Sequence, residues 1–125
     1  MFENIPLTAV LPASDLERAK RWYSEKLGLE PVVDDEFGVE YETGGERFGL
    51  YESEFAGTNK ATAAGFNVED VDTAAAQLRA KGVALEDLDF GEMGQTVDGV
   101  ITAPDGRKAA WFKDSEGNIL AITHR

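Results

Sequence analysis

At 125 residues the chain is long enough for one compact domain with an ordinary core and too short for two large ones. Its 42% hydrophobic and 29% charged residues are those of a globular protein, no apolar run approaches a membrane span, and the opening Met1-Phe2-Glu3-Asn4-Ile5-Pro6 carries no basic, apolar leader, so a soluble cytoplasmic protein with no membrane partner is expected. The absence of cysteine excludes disulfides, thiol nucleophiles and thiolate metal sites, and a net charge of -12, from 12 Lys and Arg against 24 acids, argues against a nucleic-acid partner.

The chain then reads as one supersecondary unit used twice. Ile5 to Leu11 alternates as a strand, with Ile5, Leu7, Ala9 and Leu11 on one face and Thr8 and Val10 on the other. Ser14-x-x-Glu17 has capping-box spacing, and Leu16, Ala19, Tyr23 and Leu27 follow along one helical stripe that Gly28 ends. Leu29 to Val33 is expected as a strand leading into a hairpin, Val39 to Leu50, whose turn is Gly44-Gly45. Module one, residues 1–53, is therefore β-α-β-β-β, and residues 54–61, which lack any period, form a linker.

Module two spans residues 62–125 and repeats the pattern. Thr62 to Val68 alternates with Ala64, Phe66 and Val68 on one face, Asp70 opens a helix with the stripe Val71, Ala74, Ala75 and Leu78, and Gly82 ends it. Asp15 and Asp70, Leu16 and Val71, Ala19 and Ala74 correspond at an offset of 55. The second hairpin, Trp111 to Ala121 with Gly117-Asn118 in its turn, corresponds to the first at an offset of 72, which places an insertion within Leu88 to Gly106. It reads as an added loop with Gly91, Gly94 and Gly99, then an added strand, Val100 to Ala103, and a Pro104-Asp105-Gly106 turn. The fold class is α+β: tandem βαβββ modules in one domain, forming a cupped mixed sheet around a cavity with the helices outside.

The opening Ser14-Asp15-Leu16-Glu17-Arg18-Ala19, the run Trp22-Tyr23 through Leu27-Gly28-Leu29 and the closing Phe112-Lys113-Asp114-Ser115-Glu116-Gly117-Asn118, set in this tandem pattern, resemble the vicinal oxygen chelate superfamily of glyoxalases, extradiol dioxygenases, and fosfomycin and bleomycin resistance proteins. The resemblance implies metal ligands on the first and last strand of each module. Those positions hold Thr8, Gly49, Ala63 and Ala121, and only Thr8 has a side-chain oxygen, a poor neutral ligand, so no metal and no other cofactor is expected. A displaced site would have to use Glu40, Glu42, Glu52 or His124, whose carboxylates fall at edges and turns and whose imidazole falls at the chain end. The resemblance also implies a homodimer with two-fold pairing.

If Gly49 and Ala121 face the cavity, alternation puts Arg47, Tyr51, Ile119 and Thr123 beside them, while Thr8 and Ala63 bring Val10, Gly65 and Asn67. Trp111 joins them where fosfomycin-resistance-like members place a cavity aromatic, and Lys113 shares its face. The candidate ligand-binding set is thus Trp111, Tyr51, Arg47, Thr8, Asn67, Lys113 and Thr123. Trp111 and Tyr51 fit a core equally well, Arg47 and Lys113 fit a solvated surface, and Trp22, off the helical stripe, fits a contact between modules or subunits. Asp15 and Asp70 suit helix starts, no Ser-His or Cys-His pair can be assembled, and neither Gly44-Gly45 nor Gly91-x-x-Gly94 is a phosphate cradle. Two functions compete: metal-independent binding of a small organic ligand, in the manner of bleomycin resistance proteins, and a glyoxalase- or dioxygenase-like enzyme. The acidity suits either a cationic ligand or merely a soluble surface.

Overall fold

The computed structural model describes residues 1–124. Module one contributes β1 (Ala9–Ala13), α1 (Leu16–Leu27), β2 (Val33–Asp35), β3 (Gly38–Thr43) and β4 (Glu46–Glu52). Module two contributes β5 (Thr62–Asn67), α2 (Val71–Ala80), β6 (Val100–Thr102), β7 (Lys108–Lys113) and β8 (Ile119–Thr123), with a short 3-10 turn at Gly91–Met93. Each module makes a four-stranded mixed sheet, ordered β1-β4-β3-β2 and β5-β8-β7-β6, in which the first strand pairs parallel to the last and the others are antiparallel. The fold is therefore α+β with two βαβββ units. No helix among the described residues is long and apolar enough to cross a membrane.

The helical stripes go where their spacing sends them. Ala19 and Tyr23 of α1, and Val71, Ala75 and Leu78 of α2, are buried against the outer faces of the sheets. Strand alternation sends Leu11, Val39, Tyr41, Phe48 and Leu50 of the first sheet, and Ala110, Phe112, Leu120 and Ile122 of the second, into the same apolar cluster. Aromatic rings make that cluster continuous across the modules. Tyr23 lies 5.4 Å from Tyr41 and 5.9 Å from Phe48, Phe48 meets Phe66 edge-on at 6.3 Å, and Trp22 stacks on Phe112 at 6.3 Å. Trp22 is thus a contact between modules. Each such ring removed from water stabilises the fold by about 2 kcal/mol or more. The Tyr41 hydroxyl has no hydrogen-bond partner among the described residues, and burial, reinforced by Glu30, pushes it up to about 12.

A polar knot also joins the modules, and it corrects the expected helix cap. Asp15 caps α1, accepting from the Arg18 amide at 3.0 Å, while the Ser14 hydroxyl turns instead to Glu116, 3.3 Å away on the second hairpin. Glu116 also accepts from the Asp15 amide (3.0 Å) and from Arg18 Nε and Nη2 (2.9 Å each). Next to it, the buried Asp114 accepts from the Tyr23 hydroxyl (2.6 Å), the amides of Glu116 and Asn118 and the Asn118 side chain, which also donates to the Pro12 carbonyl. Burial pushes the Glu116 carboxyl up, but the Arg18 guanidinium, the Ser115 hydroxyl and the Asp15 amide outweigh it and hold it at about 2. The linker is pinned as well: a Cβ on Gly117 would lie 2.9 Å from Gly57 Cα.

Three boundaries depart from the sequence reading. β1 begins at Ala9 because Pro6 cannot donate to a ladder and the Ile5 amide closes a turn on the Phe2 carbonyl, leaving Leu7 91% exposed. The strand after α1 is Val33–Asp35, later than expected, since Pro31 leaves residues 29–31 unladdered and pairing starts with the Val32 amide on the Glu40 carbonyl. Val100–Thr102 is not an added strand: β6 is the edge strand of the second sheet, the counterpart of β2, so most of the insertion lies in the connection 81–99 and a smaller part in the turn 103–107.

Candidate functional site

With the helices covering one face of each sheet, the other face of each stays open. Register defines an equivalent row across both open faces: Val10 pairs with Gly49 and Gly49 with Glu40 in the first, and Gly65 pairs with Ala121 and Ala121 with Trp111 in the second. This shifts the first-strand positions read from the sequence. Thr8 precedes β1, and Ala63 falls at an irregularity between Thr62 and Ala64 that turns it toward the core, so Val10 and Gly65 take the row.

Neither row fits a catalytic divalent ion. Its members are Val, Gly and Glu on one face and Gly, Ala and Trp on the other, so a single carboxylate, Glu40, stands where several oxygen or imidazole donors would be needed. Space beside the two rows differs. A Cβ on Gly49 would lie 3.2 Å from the Val39 carbonyl oxygen, whereas one on Gly65 would meet the Ala121 carbonyl oxygen and Cβ at ordinary contact distances of 3.7 and 3.8 Å. Among the described residues no three or more His, Asp or Glu side chains converge, and the displaced candidates are apart: His124 bonds through Nδ1 to the Val68 carbonyl at 3.0 Å, away from Glu40.

The open face of module one is shallow and acidic. Thr8, Val10, Phe37, Glu40, Gly49 and Tyr51 border a depression of ≈ 220 Å³ whose charged lining residues are Asp35 and Glu40. Tyr51 is 43% exposed, which removes the core reading for it.

The open face of module two is deeper and is organised around Trp111. The indole Nε1 donates to Thr62 Oγ1 at 3.1 Å, the backbone carbonyl accepts from the Glu86 amide at 2.8 Å, and the ring of Phe90 lies 5.3 Å away at 50°. Trp111 is half-buried and outside the core cluster. With Phe90 it borders two depressions: one of ≈ 620 Å³ shared with Asn59, Lys60, Thr62, Glu86, Lys113 and Ile119, and one of ≈ 690 Å³ shared with Met93, Ile101, Arg107, Lys108, Thr123 and His124. Volumes of this size suit drug-sized organic ligands.

The seven candidate residues are therefore not gathered into one cavity. Trp111 stands with Lys113 on one side and Thr123 on the other, Thr8 and Tyr51 belong to the face of module one, and Arg47 and Asn67 meet in a crevice of ≈ 310 Å³ between the modules. Thr123 Oγ1 donates to Asn67 Oδ1 at 3.2 Å, so both are partly satisfied internally. Sequence reasoning missed Phe90, Lys60 and Glu86. The linker and the 81–99 connection have no period that would announce which of their side chains turn inward; the only signal was an aromatic residue isolated in a polar loop.

A sequence model of the Glyoxalase/Bleomycin resistance protein/Dioxygenase superfamily matches residues 5–122. No curated protein matches the chain. Among solved structures, a glyoxalase family protein from Enterococcus faecalis superposes with TM-score 0.75 at 20% identity, over 99% of this chain and 100% of that one. A lactoylglutathione lyase from Agrobacterium tumefaciens gives TM-score 0.72 at 18% identity over 97% and 93%. A mutant of the fosfomycin resistance protein FosX from Listeria monocytogenes, complexed with Mn(II) and a dihydroxypropylphosphonic acid, gives 0.66 at 14% over 98% and 90%. At these identities the likeness carries the fold.

Proposed function

We propose that this chain, which belongs to the Glyoxalase/Bleomycin resistance protein/Dioxygenase superfamily, is a metal-independent binding protein for a small organic ligand seated on Trp111. One observation supports this above the others. The row that would have to supply metal donors holds Gly65, Ala121 and Trp111, so the space beside it is walled by an aromatic side chain and by residues that can ligate nothing. Without a Lewis acid a substrate oxygen loses several kcal/mol of polarisation that Gly and Ala cannot restore.

A second reading keeps an enzyme. Its observation is Glu40, whose Cγ lies 3.8 Å from where a Gly49 Cβ would be, a carboxylate on the open face that could move a proton. Titration of a Trp22→Phe variant, in which Trp111 is the sole indole, separates the readings. The binding reading expects saturable quenching by an aromatic ligand, unchanged by Mn²⁺ or a chelator. Metal-dependent turnover of a hemithioacetal or a catechol would overturn it.

The same reading takes the protein as a cytoplasmic homodimer. The open face of module one leaves Val10, Phe37 and Tyr51 exposed beside one another, which favours a second copy covering it. Light scattering at micromolar concentration should give twice the chain mass, and a monomeric mass would end the proposal. The net charge of -12 keeps nucleic acid off the list of partners.

A further inference from the structure

The depression on the Lys113 side of Trp111 is electrostatically unlike the molecule around it. The chain carries twice as many acids as bases, and the depression on the open face of module one is lined by Asp35 and Glu40 with no cation. On the far side of Trp111 the bases are already used: Arg107 pairs with Asp105 at 2.8 Å and Lys108 pairs with Asp72. Lys60 and Lys113 differ. Both line the depression and neither enters an ion pair among the described residues; its one acidic lining residue is Glu86.

We infer that the Trp111–Phe90 depression takes a flat aromatic anion, a carboxylate on a fused-ring skeleton being the simplest case, with its ring against the two aromatic side chains and its charge toward the ammonium groups of Lys60 and Lys113. This rests on the binding function proposed above and decides the ligand charge that composition left open. The net charge does not oppose it: at physiological ionic strength fields fade within about 8 Å, so distant carboxylates are screened while amines in the pocket wall act at contact range. An ammonium facing a partly desolvated aromatic wall gains more from a carboxylate partner than an exposed pair would. A planar cation has the aromatic faces but meets two like charges against one acid.

The experiment titrates the full-length chain, by calorimetry and by Trp111 fluorescence in the Trp22→Phe background, with naphthoate, naphthylmethylammonium and naphthylmethanol. These probes share a ring and differ in charge. Naphthoate should bind at least about ten-fold more tightly than the ammonium, with the alcohol between them. Replacing both Lys60 and Lys113 by Met should weaken naphthoate by roughly ten-fold and leave the alcohol within about two-fold, whereas Glu86→Gln should tighten naphthoate and loosen the ammonium. Opposite responses to removing a base and an acid are something a merely misfolded variant cannot produce. If the ammonium or the alcohol binds as tightly as naphthoate, or the lysine variant binds naphthoate unchanged, the charge assignment is wrong while binding at Trp111 stands. If none of the three perturbs Trp111, the binding function itself falls.

Discussion

The two modules agree strand for strand and disagree on what they show to solvent. On the helix side the equivalent row is Leu11, Leu50 and Val39 in one and Phe66, Ile122 and Ala110 in the other, apolar throughout. One step along each strand, on the open side, Val10, Gly49 and Glu40 stand opposite Gly65, Ala121 and Trp111. Burial constrains a side chain to be apolar and of a fitting volume, and that requirement is the same in both copies. Solvent imposes nothing comparable, so the open faces were free to diverge into a shallow acidic surface and an aromatic pocket walled by a long connection.

The largest expected break in this picture comes from the knot that makes two modules one domain. Asp114→Ala leaves the Tyr23 hydroxyl and two turn amides without their acceptor and should cost about 3 kcal/mol in urea unfolding. Thr43→Ala, beside the first hairpin turn, where no such network exists among the described residues, should stay within about 0.5 kcal/mol. If the two variants unfold alike, the second hairpin is not the joint between modules.

Acid should sharpen the same asymmetry. Glu116 is held at about 2 against an ordinary value of 4.5, so its ionised form contributes stability that is fully present above the ordinary value and is lost as pH falls from there toward 2. The urea midpoint should drop across that window, and Glu116→Gln, which is already destabilised at neutral pH, should drop less. An unchanged pH dependence in the variant would mean other carboxylates govern acid unfolding.

A smaller effect separates the open faces. Trp111→Ala should weaken ligand binding by about ten-fold, roughly 1.4 kcal/mol, while Tyr51→Ala should change it less than two-fold, both read by calorimetry. Equal losses would place the ligand across both faces.

Much of the fold was legible because period reports burial: the stripes Leu16-Ala19-Tyr23 and Val71-Ala75-Leu78 have one physical meaning. The cap of α1 was not, because Ser14 and Asp15 are both competent and the choice is made by Glu116, which is remote in sequence and adjacent only after folding. The site was legible to the extent that it sits on strands, as Trp111 and Lys113 do. Phe90 and Lys60 come from segments whose inward direction depends on tertiary contacts. Ala63 was misplaced because one irregular residue in β5 moves every upstream side chain to the other face.

The segment between the modules also bears on cleavage. Gly57, Thr58 and Asn59, with Phe55 67% exposed, would ordinarily be the site where a protease opens a two-part chain. Here Gly57 rests on Gly117, the Ser53 amide bonds the Ala13 carbonyl, Thr58 bonds the Phe55 carbonyl and Asn59 bonds Ala61 twice. A protease needs its substrate segment locally unfolded, and this one cannot be drawn out without lifting it off the second hairpin. Chymotrypsin should therefore spare Phe55 and cut first after Phe2 or Leu7, so that limited digestion trims the amino terminus and leaves the two halves in one piece.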